Sequence, residues 1–182
     1  MVGVGLAAAS GFRLFIPLLI AGLAIRFGFK IPWIESANYN LLWLGSMPAI
    51  LCFLVAAVVE VLAYKILIVD HFLDLLTTPA SIAIGSILVA TFLQGVENPL
   101  LKLAIAVIFG GGAAGIVQAS TAALRLVSTK TTGGIANPVL SAGEAIASAF
   151  FSIVAVLVPL LVIALIIVFG FIVYKLYSKM RS

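Results

Sequence analysis

Charge is what this chain has least of. Lysine and arginine number 10 and aspartate and glutamate 6, together 9% of 182 residues, while 64% are hydrophobic and the mean hydropathy is +1.35. Soluble domains carry about a quarter charged residues, so the composition excludes that class and implies an integral membrane protein. Cysteine occurs once, Cys52, inside an apolar run, which excludes an intrachain disulfide and a cysteine metal cluster. Histidine also occurs once, His71, remote from any distinctive serine motif. No nucleophile and base constellation can be assembled from that, and an enzyme is not expected. Neither a basic soluble domain for nucleic acid nor a phosphate-cradling G-x-x-x-x-G-K-[ST] order is present, and no cofactor or metal is expected. The opening "MVGVGLAAASGF" has no basic residue before the apolar run and no evident cleavage site, so the first segment is expected to stay in the mature protein.

What the chain does have is long apolar runs. A helix crosses a bilayer with about 20 apolar residues, and five segments qualify: 2–25, 41–64, 79–96, 100–127 and 142–174. Short loops join them, predicting an all-α, polytopic transmembrane helical bundle of about five spans in a single membrane domain, residues 1–182. Two segments exceed a simple span. Residues 100–127 contain "FGGGAAG", and 142–174 would make a helix of about 50 Å at 1.5 Å per residue. Each must tilt, break or project, with Pro159 marking a kink in the last. The glycine run equally suits close helix packing, because small residues let backbones approach in lipid. Basic residues near the spans set orientation. Lys65, Arg125 and Lys130 fall on one side and Arg26, Lys30, Lys102, Lys175, Lys179 and Arg181 on the other, which places the carboxyl terminus in the cytoplasm and the protein in the inner (plasma) membrane.

The few polar residues inside these runs stand out. Arg13 lies in "GLAAASGFRLFIPLLIAGL", four residues before Pro17. A guanidinium in hydrocarbon costs about 2.5 to 3.5 kcal/mol on insertion scales, so it needs a partner, a water-filled cavity or a shallow position. Glu60 in "LVAAVVEVLAYK" is the candidate counter-ion, as a packing pair or as a functional, proton-coupling carboxylate. Gln118, Thr121, Arg125 and Ser128 recur at steps of three and four, and so do Ser141, Glu144, Ser148 and Ser152. Each set makes one helical stripe. On neighbouring antiparallel spans the stripes would face each other and bring Arg125 to Glu144, either as interhelical glue or as a solute path. "AAASGFRLF" (7–15) and "ASTAALRLV" (119–127) also align Arg13 with Arg125, a weak inverted repeat of the transporter kind.

Two stretches read as loops. In "IVDHFLDLLTTPAS" (68–81), Asp70, His71 and Asp74 admit a weak metal site, and the plainer reading is a helix-terminal turn with Thr77 or Thr78 capping the third span. In "VSTKTTGGIANPVLSAGE" (127–144), Asn137 before Pro138 signals a turn. Ser141 with Glu144 three residues on has the capping-box spacing, which gives Glu144 a second, local explanation.

Taken in order, "GLAAASGFRLFIPLL", "VVEVLAYKILIVDHFLD", "TTPAS", "GGGAAGIVQASTAALRL" and "NPVLSAGEAIAS" resemble the bacterial membrane family known as domain of unknown function 4126, over about residues 3–160. The matching positions are Gly11, Phe12, Arg13, Pro17, Glu60, Asp70 and Arg125, and the loop after Arg125 departs from the family's acidic pattern. The resemblance implies a small multi-helix membrane protein and carries no activity.

Three functions fit these residues. The first is a small channel or secondary transporter for a small ion or solute, an anion favoured by the two arginines, with Arg13, Glu60, Gln118, Thr121, Arg125, Glu144 and Ser148 along its path. So few helices leave little room for alternating access, which favours a homodimer among membrane lipids. The second is a noncatalytic scaffold or accessory subunit, and the third a lipid-handling, scramblase-like protein. Charges that face a solvated cavity, one another in a dry core, or lipid through a groove would separate the three.

Overall fold

The structure, a computed structural model, describes residues 2–28, 39–64, 67–93, 95–157, 167–172 and 175, without the side chains of 39–41 and 67–71. Among the described residues it is all-helical: α1 (Val2–Ser10), α2 (Phe15–Arg26), a 3-10 turn (Tyr39–Gly45), α3 (Met47–Ala63), α4 (Leu67–Phe92), α5 (Pro99–Ile105), a π-helical segment (Ala106–Gly111), α6 (Gly112–Thr132) and α7 (Asn137–Leu157). Three helical stretches, Phe72–Phe92, Pro99–Thr132 and Asn137–Leu157, are long and apolar enough to cross a membrane, and Phe15–Arg26 and Met47–Ala63 are shorter apolar helices.

The segment expected to make the first span is broken into α1 and α2. Proline lacks an N–H, and its ring clashes with the carbonyl four residues before it. Pro17 would therefore collide with the Arg13 carbonyl in a continuous helix. The chain leaves the helix at Gly11–Leu14 instead and restarts at Phe15, which puts Pro17 in the first turn of α2, where a missing donor costs little. Gly11 makes the break compact. A Cβ there would land on the Ala114 carbonyl oxygen and lie 2.7 Å from the Val117 Cβ, so the break and α6 meet backbone to backbone. The α1 helix is the centre of the bundle, with Leu6, Ala7, Ala9 and Ser10 fully covered, and it packs against α4, α6 and α7.

The apparent loop at 68–81 is helical. The α4 helix starts at Leu67 and carries Pro79 in its interior. Thr77 and Thr78 therefore cap nothing: Thr78 donates to the Asp74 carbonyl (2.6 Å), and Thr77 faces the bundle interior. The charge that reads as a loop signal, Asp74, meets Arg125 inside the fold, so the helix can continue through it. The second apparent loop is also mostly helix. The α6 helix runs to Thr132, Gly133 adopts the left-handed conformation that ends it (φ 64°), and α7 begins at Asn137. Ser141 and Glu144 thus stand inside α7 and form no capping box. The expected kink at Pro159 lies outside the described residues, as do the side chains of Asp70 and His71.

From Pro99 to Thr132 the helix is continuous over 34 residues, interrupted by one π-helical segment at the glycine run. The close-packing reading of that run holds: Gly110, in the π segment, crosses Gly85 of α4 at backbone contact distance, and the helix does not break there. At the start of this long helix, Asn98 accepts from the amides of Leu100 (3.0 Å) and Leu101 (3.2 Å). Asn98→Ala is expected to cost about 1 kcal/mol locally. Faster amide exchange at Leu100 and Leu101 would register it, and unchanged exchange would contradict it.

Candidate functional site

The break in the first segment positions Arg13. Its side chain points inward and the residue is 1% exposed. One terminal nitrogen, Nη2, reaches the Ser141 carbonyl (3.1 Å), the Ser141 hydroxyl (2.7 Å) and Glu144 Oε2 (3.0 Å). Nε and Nη1 are buried and have no hydrogen-bond partner among the described residues.

Glu60 does not pair with Arg13 as expected. Its carboxylate instead accepts from the backbone amides of Leu14 (2.9 Å) and Phe15 (3.3 Å). These are the orphan donors at the start of α2, where the aligned peptide dipoles favour a negative charge. Leu14, the residue at the N-cap, has no side-chain acceptor of its own, so Glu60 of α3 supplies the cap through space. Residue spacing shows which side chains share a helix face, but it does not reveal that the neighbouring helix is broken at that level.

Arg125 sits within α6 and joins two carboxylates. Its Nε donates to Glu144 Oε1 (3.0 Å) and its Nη2 to Glu144 Oε2, while Nη1 contacts Asp74 of α4. The pairing of Arg125 with Glu144 follows the facing stripes. Asp74 adds a partner from a third helix, and Glu144 also reaches Arg13, so Arg13, Glu144, Arg125 and Asp74 form one chain of charges. The bidentate geometry at Glu144 is the strong form of the arginine–carboxylate pair.

Tyr64, absent from the sequence-based set, is the centre of this arrangement. Its ring contacts both guanidiniums, 3.9 Å from the Arg13 Cζ and 4.1 Å from the Arg125 Cζ. Cations over an aromatic face are attracted to its electron density, and here one ring serves two cations. The Tyr64 hydroxyl contacts Asp74 Oδ1 (3.2 Å) and Thr77 Oγ1 (2.9 Å), and Gln118 Nε2 donates to the same Thr77 oxygen (3.0 Å). A signal for Tyr64 exists in the sequence, since it falls four residues after Glu60 and so on the same face of α3.

The other predicted residues divide. Gln118 joins the cluster through Thr77. Thr121 is buried, but its hydroxyl returns to the Gln118 carbonyl of its own helix (3.0 Å). Ser148 donates to the Ala9 carbonyl (3.0 Å) and fastens α7 to the end of α1. Among the described residues no group of His, Cys, Asp and Glu could hold a metal ion. A separate cavity of ≈ 280 Å³, lined by Ile20, Leu23, Ala24, Ile153, Val156 and Leu157, lies between α2 and α7 and contains none of these polar residues.

A protein-family model described as Domain of unknown function (DUF4126) matches residues 1–179. No curated protein and no solved structure matches the chain.

Proposed function

The chain belongs to the family described as Domain of unknown function (DUF4126), which brings no activity with it, and we propose from the site that it is a small channel or secondary transporter for a small anion. The observation that carries this reading is Arg13. A guanidinium buried in a helix break uses one nitrogen for its partners and leaves Nε and Nη1 unmatched among the described residues, and each unmatched buried donor costs about 1–3 kcal/mol. A visiting anion or the water around it would relieve that cost. Half-helix ends beside a buried charge are also how many secondary transporters build their sites.

The rest of the reading follows from the chain's size and charge. A homodimer, with the path near its interface, would give so few helices the room to move. The distribution of basic residues supports a carboxyl terminus in the cytoplasm and an inner-membrane location. The weak repeat aligns Arg13 with Arg125, both of which contact the Tyr64 ring, and an inverted origin for the two segments is part of this reading.

One observation favours the scaffold instead: Glu144 and Asp74 point at the arginines, as in a dry packing network. Flux into proteoliposomes separates the two. Anion entry is expected, with cations and fluorescent lipids excluded, and folded Arg13→Ala should lose about tenfold or more, the equivalent of 1.4 kcal/mol. If the folded wild-type protein moves no anion, the transport reading falls and the scaffold stands.

A further inference from the structure

Glu60 occupies a position that suits an anion. The amides of Leu14 and Phe15 open a 12-residue helix and converge on its two oxygens at 2.9 and 3.3 Å, a ready-made anion site by backbone and dipole. Arg13, next to Leu14 in the chain, is 1% exposed and holds two donors that have no partner among the described residues. Its guanidinium lies against Tyr64, which follows α3 one turn beyond Glu60. A carboxylate therefore holds the two amides, and the residue beside them in the chain is a buried guanidinium with donors to spare.

We propose that Glu60 is a built-in surrogate for the transported anion, and that a small monovalent anion takes its place on the Leu14 and Phe15 amides when Glu60 is protonated. The step balances. The carboxylate gains one proton, loses its charge and can no longer accept strongly from both amides; the incoming anion restores the single negative charge they had. Net buried charge is unchanged, which matters because an uncompensated charge is costly in this setting. One proton thus accompanies one anion. The other charged or titratable groups around this point are Arg13 from the break, Tyr64 from α3, Arg125 from α6, Glu144 from α7 and Asp74 from α4. All but Tyr64 lie on the charge chain, and Tyr64 contacts both of its arginines. Glu60 is the one whose partners are backbone amides, and releasing it leaves the ion pairs of Arg13 and Arg125 with Glu144 and Asp74 intact.

This inference rests on the transport reading, and its test keeps the two apart. Purified protein in proteoliposomes is assayed for nitrate and chloride uptake across a pH series, with a pH-sensitive dye inside. Wild type is expected to take up anion faster at acidic pH, with one proton entering per anion. Glu60→Gln, neutral at every pH, is expected to move anion with no pH dependence and no proton entry. Glu60→Asp should retain coupling with a displaced pH profile. In detergent, Glu60→Gln should also gain thermal stabilisation on adding nitrate that wild type shows only at acidic pH. Absence of anion uptake by wild type would overturn the transport reading itself. Uptake by wild type together with an unchanged pH profile or continued proton entry in Glu60→Gln would overturn the role of Glu60 alone. A Glu60→Gln protein that folds, as Glu60→Asp does, but neither transports nor binds nitrate would also overturn it.

Discussion

Arg125→Ala is expected to lower stability by about 3–5 kcal/mol, the range found when one partner of a buried ion pair is removed. Two carboxylates pair with this guanidinium, Glu144 of α7 and Asp74 of α4, so the substitution removes a charged partner from two different helices at once. It also removes one of the two cations against the Tyr64 ring. Arg13 offsets part of the loss at Glu144, which it already contacts. Arg125→Lys should recover only part of the loss: an ammonium can meet one carboxylate but cannot form the bidentate pair or the planar stack. Unfolding in mixed micelles would measure both variants. Arg125→Ala combined with Glu144→Gln should cost less than the sum of the two single changes, because neutralising Glu144 removes one of the stranded charges. A loss below about 1 kcal/mol for Arg125→Ala would mean that the network is exposed to water, where such pairs contribute little.

The second large effect is expected at the crossing of α4 with the π segment. A Cβ on Gly110 would fall on the Gly85 carbonyl oxygen, 2.7 Å from its carbonyl carbon and 2.8 Å from a Val89 methyl. Two of these three atoms are backbone and cannot rotate away. Gly110→Ala must therefore separate the helices, at a cost of about 1–3 kcal/mol or more, and it should loosen the α4 face that presents Asp74 and Thr77 to the site. Gly112 supplies the control, since nothing lies within 4 Å of a Cβ there. Gly112→Ala in the same helix should be neutral or stabilising by up to about 1 kcal/mol, as alanine is the better helix former. Equal effects at the two positions would show that helix propensity, not the crossing, sets the outcome.

Much of the site could be read from spacing. Gln118, Thr121, Arg125 and Ser128 are all buried, and so are Ser141, Glu144, Ser148 and Ser152. A period of three and four residues is a property of the helix itself, and two stripes on adjacent antiparallel helices have few ways to hide from lipid except against each other. The Arg125–Glu144 pair follows. Legibility ended where a residue's role depended on a different part of the chain. Asp74, Thr77 and Thr78 resemble loop and cap residues in one dimension, and Arg125 and Tyr64 make two of them interior residues of a helix. Tyr64 stands at the end of α3, and its two guanidinium contacts come from residues 51 positions before it and 61 after.

The sequence by itself determined the solvent and the class of fold. Hydrophobicity and helical period are local and additive, and a chain with 9% charged residues has no stable arrangement in water that would bury so much apolar surface. Only the tertiary structure decided which charge meets which. In a low-dielectric interior every buried donor and charge seeks compensation, and several partners were within reach of each by composition alone. The break at Gly11–Leu14 settled the choice by exposing two backbone amides beside α3. Glu60 went to those amides, Arg13 was left to Glu144 and Ser141, and two donors of Arg13 remained without a partner among the described residues.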